Sequence, residues 1–401
     1  MKLTQNGETM TSQAVIENLV HVLEEINVSS FLDNFGPKHI IQIYCPEKNI
    51  QGLLIIDNTF MGPACGLVNL CPGMTPRELF KYARTMTFSA AVNEVNLGGG
   101  AAWIKMGPGP MDKLETIRAF AKEIAPYIPN QYIASPGMNL GQNEMRAFVE
   151  SLGDQQGATG KPIEMDGTPY ELGVLGLGMG VCIEAALESA QSNKALPKSL
   201  AEAKVAVQGF NTIGATVARY LANKGAKIVA LSDDKSTIYS EKGIEMNKLG
   251  DNPADHSNVP PLRTLKNVKR SSAESIIDID CNILVLPTTK EIITEKNVDK
   301  VKASCIVEGF YKPISGIADT ALCEKGAIVI PDILAISGAP ISSISECSRI
   351  RYDRTISMVE RKVREKVNAL TQQSLELGIP LRRVALEVAK ERLLKALEES
   401  S

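Results

Sequence analysis

Over residues 13–35 apolar side chains recur at three- and four-residue spacing, with Val15, Leu19, Val22, Leu23 and Ile26 on one helical face. The pattern then shortens to apolar runs bounded by turn formers at residues 40–44 and 52–56, which predict strands. Residues 75–86 predict a helix with Thr75 as N-cap and Pro76 in the first helical position. Further helices are expected at 111–126, 143–152 and 174–192, with a loop over 153–170, rich in Gly, Asp, Gln and Thr. From about residue 200, strands alternate with helices. Runs at 204–208 and 227–231 flank a helix at 213–224 closed by Gly225. Those at 281–286, 304–307 and 327–330 are short and mainly apolar, as strands covered on both faces are. The expected class is α/β with a doubly wound parallel sheet in the second half, followed from Ser357 by one or two amphipathic helices.

At 401 residues the chain has room for two or three domains. A formal charge of −3 with both signs interspersed leaves no basic field for nucleic acid or anionic lipid. Eight scattered cysteines without a CxxC pair, and only His21, His39 and His256, give no zinc-like ligand cluster, so no metal is expected. No apolar run approaches the roughly 18 residues of a membrane span, and the N-terminus lacks a basic stretch followed by an apolar one. A cytoplasmic protein with reduced thiols is the expectation.

Gly209-Phe210-Asn211-Thr212-Ile213-Gly214 lies between a predicted strand and helix, where a GxGxxG phosphate loop of a Rossmann-like domain belongs. Asn211 stands at the second glycine, where backbone approaches a pyrophosphate. Asp233, after the second strand, is placed to accept from an adenosine ribose hydroxyl, and with Asp234 it favours NAD over NADP. The alternative is that Gly209 and Gly214 serve packing and the two aspartates form a solvated turn.

Several strings in order resemble the Glu/Leu/Phe/Val dehydrogenase family. Gly62-Pro63-Ala64-Cys65-Gly66 is similar to GPAxGG, Met86-Thr87-Phe88 with Leu97 to Gly100 to MTxK…LGGGK, and Thr159-Gly160-Lys161-Pro162 to TGKP. Val207-Gln208-Gly209-Phe210, Val307-Glu308-Gly309 and Pro331-Asp332-Ile333-Leu334-Ala335 match VQGF, VEG and PDILA. The resemblance, from about Gly52 to Leu397, implies a substrate and oligomerisation domain over residues 1–190, completed by 357–401, and a Rossmann-like dinucleotide domain over 191–356. It implies NAD or NADP as cofactor and a homo-oligomer, with a small-molecule ligand or a protein partner.

The family's chemistry needs a lysine for the substrate carboxylate, a catalytic lysine and a proton-shuttling aspartate; these positions hold Ser89, Ala101 and Gly137. Cys65 and Asn69 stand where the glutamate enzymes carry a further lysine and an arginine, and Leu177, Tyr311 and Ile336 where hydrogen-bonding residues flank the nicotinamide. Ser343 keeps the position of a substrate-contacting serine. A carboxylate buried without a cation costs several kcal/mol, so the resemblance implies that ordinary oxidative deamination is lost. Glu94, Lys105, Asn139 and Lys161 are nearby polar groups expected to be solvated or to cap. Three readings remain: an NAD(P)-dependent oxidoreductase on a less charged substrate, a non-catalytic member that regulates or co-assembles with another enzyme, and a reused pocket with Cys65 or Ser343 as nucleophile.

Overall fold

The computed structural model describes residues 4–5, 8–9, 31–48, 50–107, 111–246, 249, 262–288, 290–310 and 312–400. The helix expected over residues 13–35 lies outside these except at its end, where Asp33 and Gly36 exchange backbone hydrogen bonds across a turn.

The first sheet comprises β1 (His39–Cys45), β2 (Ile50–Ile56), β3 (Ala64–Cys71), β4 (Gly98–Lys105) and β5 (Tyr132–Pro136), in the order β1-β2-β4-β3-β5. β1 and β2 are antiparallel neighbours, β2 runs antiparallel to β4, and β3 is parallel to both β4 and β5. Three of these strands were not foreseen, among them the glycine-rich β4 at the centre of the sheet.

Helix α1 (Pro76–Val92) starts where expected. Thr75 Oγ1 accepts from the Glu78 amide and Glu78 Oε2 accepts from the Thr75 amide, a reciprocal capping box. It runs six residues beyond the predicted end at Met86, because Thr87, Ser89, Ala90, Ala91 and Val92 are all buried. Helices α2 (Lys113–Ile124) and α3 (Gln142–Leu152) follow, then α4 (Val174–Ser189).

The second sheet is built from β6 (Lys204–Gln208), β7 (Lys227–Ser232), β8 (Thr237–Tyr239), β9 (Lys269–Ser271), β10 (Ile283–Leu286), β11 (Cys305–Glu308) and β12 (Ile328–Ile330), in the order β9-β8-β7-β6-β10-β11-β12. From β7 to β12 all neighbours are parallel, while β8 and β9 add an antiparallel edge. Helix α5 (Thr212–Asn223) leads from β6 to β7 on one side, and the chain later returns to β10 on the other side of β6. That reversal makes the crevice beyond the ends of β6 and β10 the place where open α/β sheets bind ligands. The chain ends with α6 (Gly316–Glu324), α7 (Asp332–Ala335), α8 (Gly338–Cys347), α9 (Tyr352–Leu377) and α10 (Leu381–Ser400). Helix α9 packs on α4, and α10 packs back on α1.

Strand alternation divides the interior. Leu53, Ile55, Cys65, Leu67, Ala101 and Ile133 point from the first sheet into a core shared with Val205, Val207, Val285, Val307 and Ile330 of the second. The opposite face of the first sheet packs on α2 and α3, and that of the second forms a third, smaller core.

Candidate functional site

Ala101 sits in β4 opposite Ile55 of β2 and Leu67 of β3, with no exposed surface. Ser89, on α1, is equally sealed, and its hydroxyl finds no partner among the described residues. One turn on, Asn93 Nδ2 donates to the Ser89 carbonyl at 2.8 Å and to Ser337 Oγ at 2.7 Å, tying α1 to the α7–α8 junction.

Gly137 follows β5, and its amide donates to the Val68 carbonyl at 3.0 Å. A Cβ here would lie 2.5 Å from that carbonyl oxygen and 2.6 Å from Asn69 Oδ1, so the position has room only for glycine. Asn69 holds the approach: Oδ1 accepts from the Met138 amide at 3.1 Å and Nδ2 donates to the Ala102 carbonyl at 3.2 Å.

Cys65 and Ser343, far apart in sequence, meet through hydroxyls that no motif had singled out as a group. Cys65 Sγ lies 3.3 Å from Ser135 Oγ, which lies 2.7 Å from Thr159 Oγ1. Thr159 Oγ1 is 3.2 Å from Ser343 Oγ, and Ser343 Oγ is 3.3 Å from Tyr170 OH. Every member is buried. The chain of hydroxyls transmits hydrogen bonds but carries no charge. Burial pushes the Cys65 thiol up, away from the nucleophilic thiolate form. His39, the one histidine among the described residues, lies on edge strand β1 against Tyr127 and serves neither Cys65 nor Ser343.

Next to this chain, Lys161 and Glu346 form a buried ion pair at 2.6 Å. Lys161 Nζ also donates to the Ala158 carbonyl, and Glu346 accepts from the amides of Gly160 and Thr168. Lys161 is therefore neither solvated nor a simple cap, and the polar loop over residues 153–170 enters the core. By contrast Glu94, Lys105 and Asn139 are exposed. Glu94 pairs with Lys366, whose ammonium holds its carboxyl below the usual range. Lys105 donates to Gln51, and Asn139 donates to the Leu70 carbonyl.

At the crevice of the second sheet, Gly209 adopts φ +82°, which favours glycine, and the amides of Gly209 and Phe210 both donate to the Ser232 carbonyl. Asn211 is the N-cap of α5. Its Oδ1 accepts from the amides of Ile213 and Gly214, both at 3.0 Å, while Nδ2 donates to the Pro287 carbonyl at 3.3 Å. The donors that a helix start offers to an anion are thus met by the protein's own side chain. Asp233, at the end of β7, accepts through Oδ1 from the amides of Lys235 and Ser236, and Asp234 is exposed. The site fits a dinucleotide in part: the tight turn, the switch point and Asp233 suit the adenosine half, whereas Asn211 occupies the pyrophosphate's donors. Leu177 is half-buried on α4, Ile336 is buried, and Tyr311 lies outside the described residues.

The profile described as "Glu/Leu/Phe/Val dehydrogenase, dimerisation domain" matches residues 37–153, and that described as "Glutamate/Leucine/Phenylalanine/Valine dehydrogenase" matches residues 167–400. The chain is 28% identical over 387 residues to the NADP-specific glutamate dehydrogenase of Saccharolobus shibatae, covering 90% of this chain and 89% of the relative. With the NAD-specific glutamate dehydrogenase of Staphylococcus aureus it shares 27% identity over 399 residues, covering 94% and 93%. Its fold is similar to that of the hetero-hexameric glutamate dehydrogenase from Thermus thermophilus in a Leu-bound form, with TM-score 0.79, 23% identity and coverage of 97% and 96%. The L-tryptophan dehydrogenase of Nostoc punctiforme is a more distant likeness, with TM-score 0.62, 18% identity and coverage of 95% and 99%.

Proposed function

The chain belongs to the Glu/Leu/Phe/Val dehydrogenase family, and from that premise we propose that it is a member without ordinary oxidative deamination that assembles with homologous dehydrogenase subunits and regulates them. The carrying observation is the burial of Ala101 and Ser89, at the positions where the family motif holds lysines, in an apolar core without exposed surface. A substrate carboxylate there meets no cation, and Lys161, the ammonium nearest the hydroxyl chain among the residues described above, is neutralised by Glu346.

Assembly is supported by the match of residues 37–153 to a dimerisation domain and by the fold's likeness to a protein whose own description is hetero-hexameric. The proposal places the assembled protein in the cytoplasm.

A dinucleotide would be held by Gly209, Phe210, Gly214 and Asp233, against the competition of the Asn211 side chain for the helix's amides, with NAD preferred because the Asp233–Asp234 pair repels a 2′-phosphate. When bound it would supply a hydride acceptor, and Asp233 would orient the ribose. The partial fit gives the second reading, an NAD(P)-dependent oxidoreductase on a small, less charged substrate.

The test has two arms on the purified full chain. Nicotinamide reduction with a panel of amino acids is expected to show no turnover, and rates in the ordinary enzymatic range of about 1 s⁻¹ or more would overturn the loss of deamination. Native mass spectrometry after co-expression with a catalytically complete dehydrogenase from the same source is expected to show mixed oligomers. Exclusively separate oligomers would overturn the regulatory role.

A further inference from the structure

A cavity of about 140 Å³ lies where the second sheet meets the C-terminal helices, away from both the hydroxyl chain and the Gly209 crevice. Its walls come from α6, from β12 and from the last two turns of α9 together with the start of α10. Its apolar lining includes Val329, Leu375, Pro380 and Leu381. Leu375 is exposed and Leu381 buried, so the cavity runs from the surface inward.

Four polar side chains line it. Asn193 donates through Nδ2 to the Gly326 carbonyl and accepts through Oδ1 from the Ala195 amide, and Ser374 Oγ donates to the Ile379 carbonyl. The other two are Asp319 and Thr371, 4% and 1% exposed, whose Oδ1 and Oγ1 have no hydrogen-bond partner among the described residues. Leaving such atoms unpaired is costly. Asp319 Oδ2 lies 3.4 Å from Arg382 Nε, an ion pair that leaves Oδ1 without a hydrogen-bond partner among the described residues.

We propose that this cavity is a binding site for a small primary alkylammonium, with its N–H donors on Asp319 Oδ1 and Thr371 Oγ1 and its short alkyl chain against Val329, Leu375, Pro380 and Leu381. The charge of the lining selects the class. It carries one carboxylate and no lysine or arginine, so it repels anions and offers a free amino acid's carboxylate no counter-ion. Size selects the length. A cavity of about 150 Å³ holds a benzene molecule, and n-butylammonium, close to that ring in volume, fills the space and presents one polar end. Occupancy would tie the α9–α10 junction to β12 and α6, at the seam through which the C-terminal helices reach back to the first sheet. The site is independent of the proposed loss of deamination.

The experiment is calorimetric titration of the full-length protein with n-butylammonium chloride, with n-butyrate and n-butanol as matched probes. Saturable binding of the amine is expected at about 1 mM or tighter, with butanol at least ten-fold weaker and butyrate silent. Asp319→Asn and Thr371→Val are each expected to weaken the amine by roughly ten-fold or more, as loss of a charge-assisted or buried hydrogen bond does. Thr371→Val, close to isosteric, keeps the test decisive if Asp319→Asn disturbs folding, which circular dichroism would report. No saturable amine binding, equal binding of butyrate, or amine affinity unchanged in folded Thr371→Val would overturn the site.

Discussion

Ala101 concentrates the chemistry at the scale of one residue. Its methyl group packs in register between Ile55 and Leu67, and nothing beside it provides a counter-charge. Placing a lysine at this position is therefore a stability experiment before it is a catalytic one. Ala101→Lys places an ammonium in a sealed apolar core, and it is expected to lower unfolding free energy by about 3 kcal/mol or more in urea titration without conferring amino-acid turnover. An Ala101→Lys protein as stable as the parent and active on amino acids would refute the burial reading. Gly137 makes the same point sterically, since even a Cβ meets the Val68 carbonyl and Asn69. The sequence displayed these residues openly, because glycine-rich strings and their neighbours are easily aligned by eye. It did not display the hydroxyl chain: Ser135, Thr159, Tyr170 and Ser343 are ordinary polar residues separated by long stretches of chain, and only the fold makes them neighbours.

Among the elements, α5 is the one whose end decides ligand binding. Asn211 caps it with two accepted hydrogen bonds and thereby withdraws the amides of Ile213 and Gly214 from an incoming anion. Asn211→Gly is expected to cost only a few tenths of a kcal/mol in stability and to tighten NADH binding several-fold, read by fluorescence titration. Unchanged or weaker affinity would mean that the capped helix start is not what limits binding. Elements with clear periodicity were legible from sequence, as with α1, whose Thr75 and Pro76 marked its start, and with the apolar strands β6, β7, β10, β11 and β12. Strands β3 and β4 were not. Their Gly, Ala and Cys residues carry no alternating pattern, and β4 is glycine-rich because its backbone lies close to its neighbours, a tertiary reason with no local signature.

For the whole molecule, the joint between the second sheet and the last helix is electrostatic. Arg382, at the start of α10, forms ion pairs with Glu308, Asp319 and Asp332, and all four side chains are largely buried. One guanidinium cannot compensate three buried carboxylates. Burial pushes Asp319 and Asp332 up to about 6 and brings Arg382 down to about 10, where it stays charged at neutral pH. A carboxyl raised in the folded state holds its proton more tightly there than in the unfolded chain. Its contribution to stability is complete below pH 4 and is lost as pH rises through about 6. Each group accounts for up to about 3 kcal/mol across that window. The unfolding midpoint is thus expected to depend less on pH between 4.5 and 7.5 in Asp319→Asn than in the parent. Arg382→Met is expected to lose about 3–5 kcal/mol at pH 7.5 and less at pH 4.5, by thermal or urea unfolding. An Arg382→Met penalty that is flat with pH would show that the carboxyls do not titrate in this window.

The return of α10 to α1 also orders events in time. Arg392 donates to the carbonyls of Ala90 and Ala91 and to Asn96, and Val384, Ala385, Ala389 and Leu393 are buried. Roughly 300 residues separate these partners. At a synthesis rate of about 5–20 residues per second, the nascent first sheet waits about 15–60 s for the helix that covers α1. During translation, then, this face stays bare until α10 has been made, which makes it the surface that a chaperone, or a sister subunit emerging from the same message, meets first.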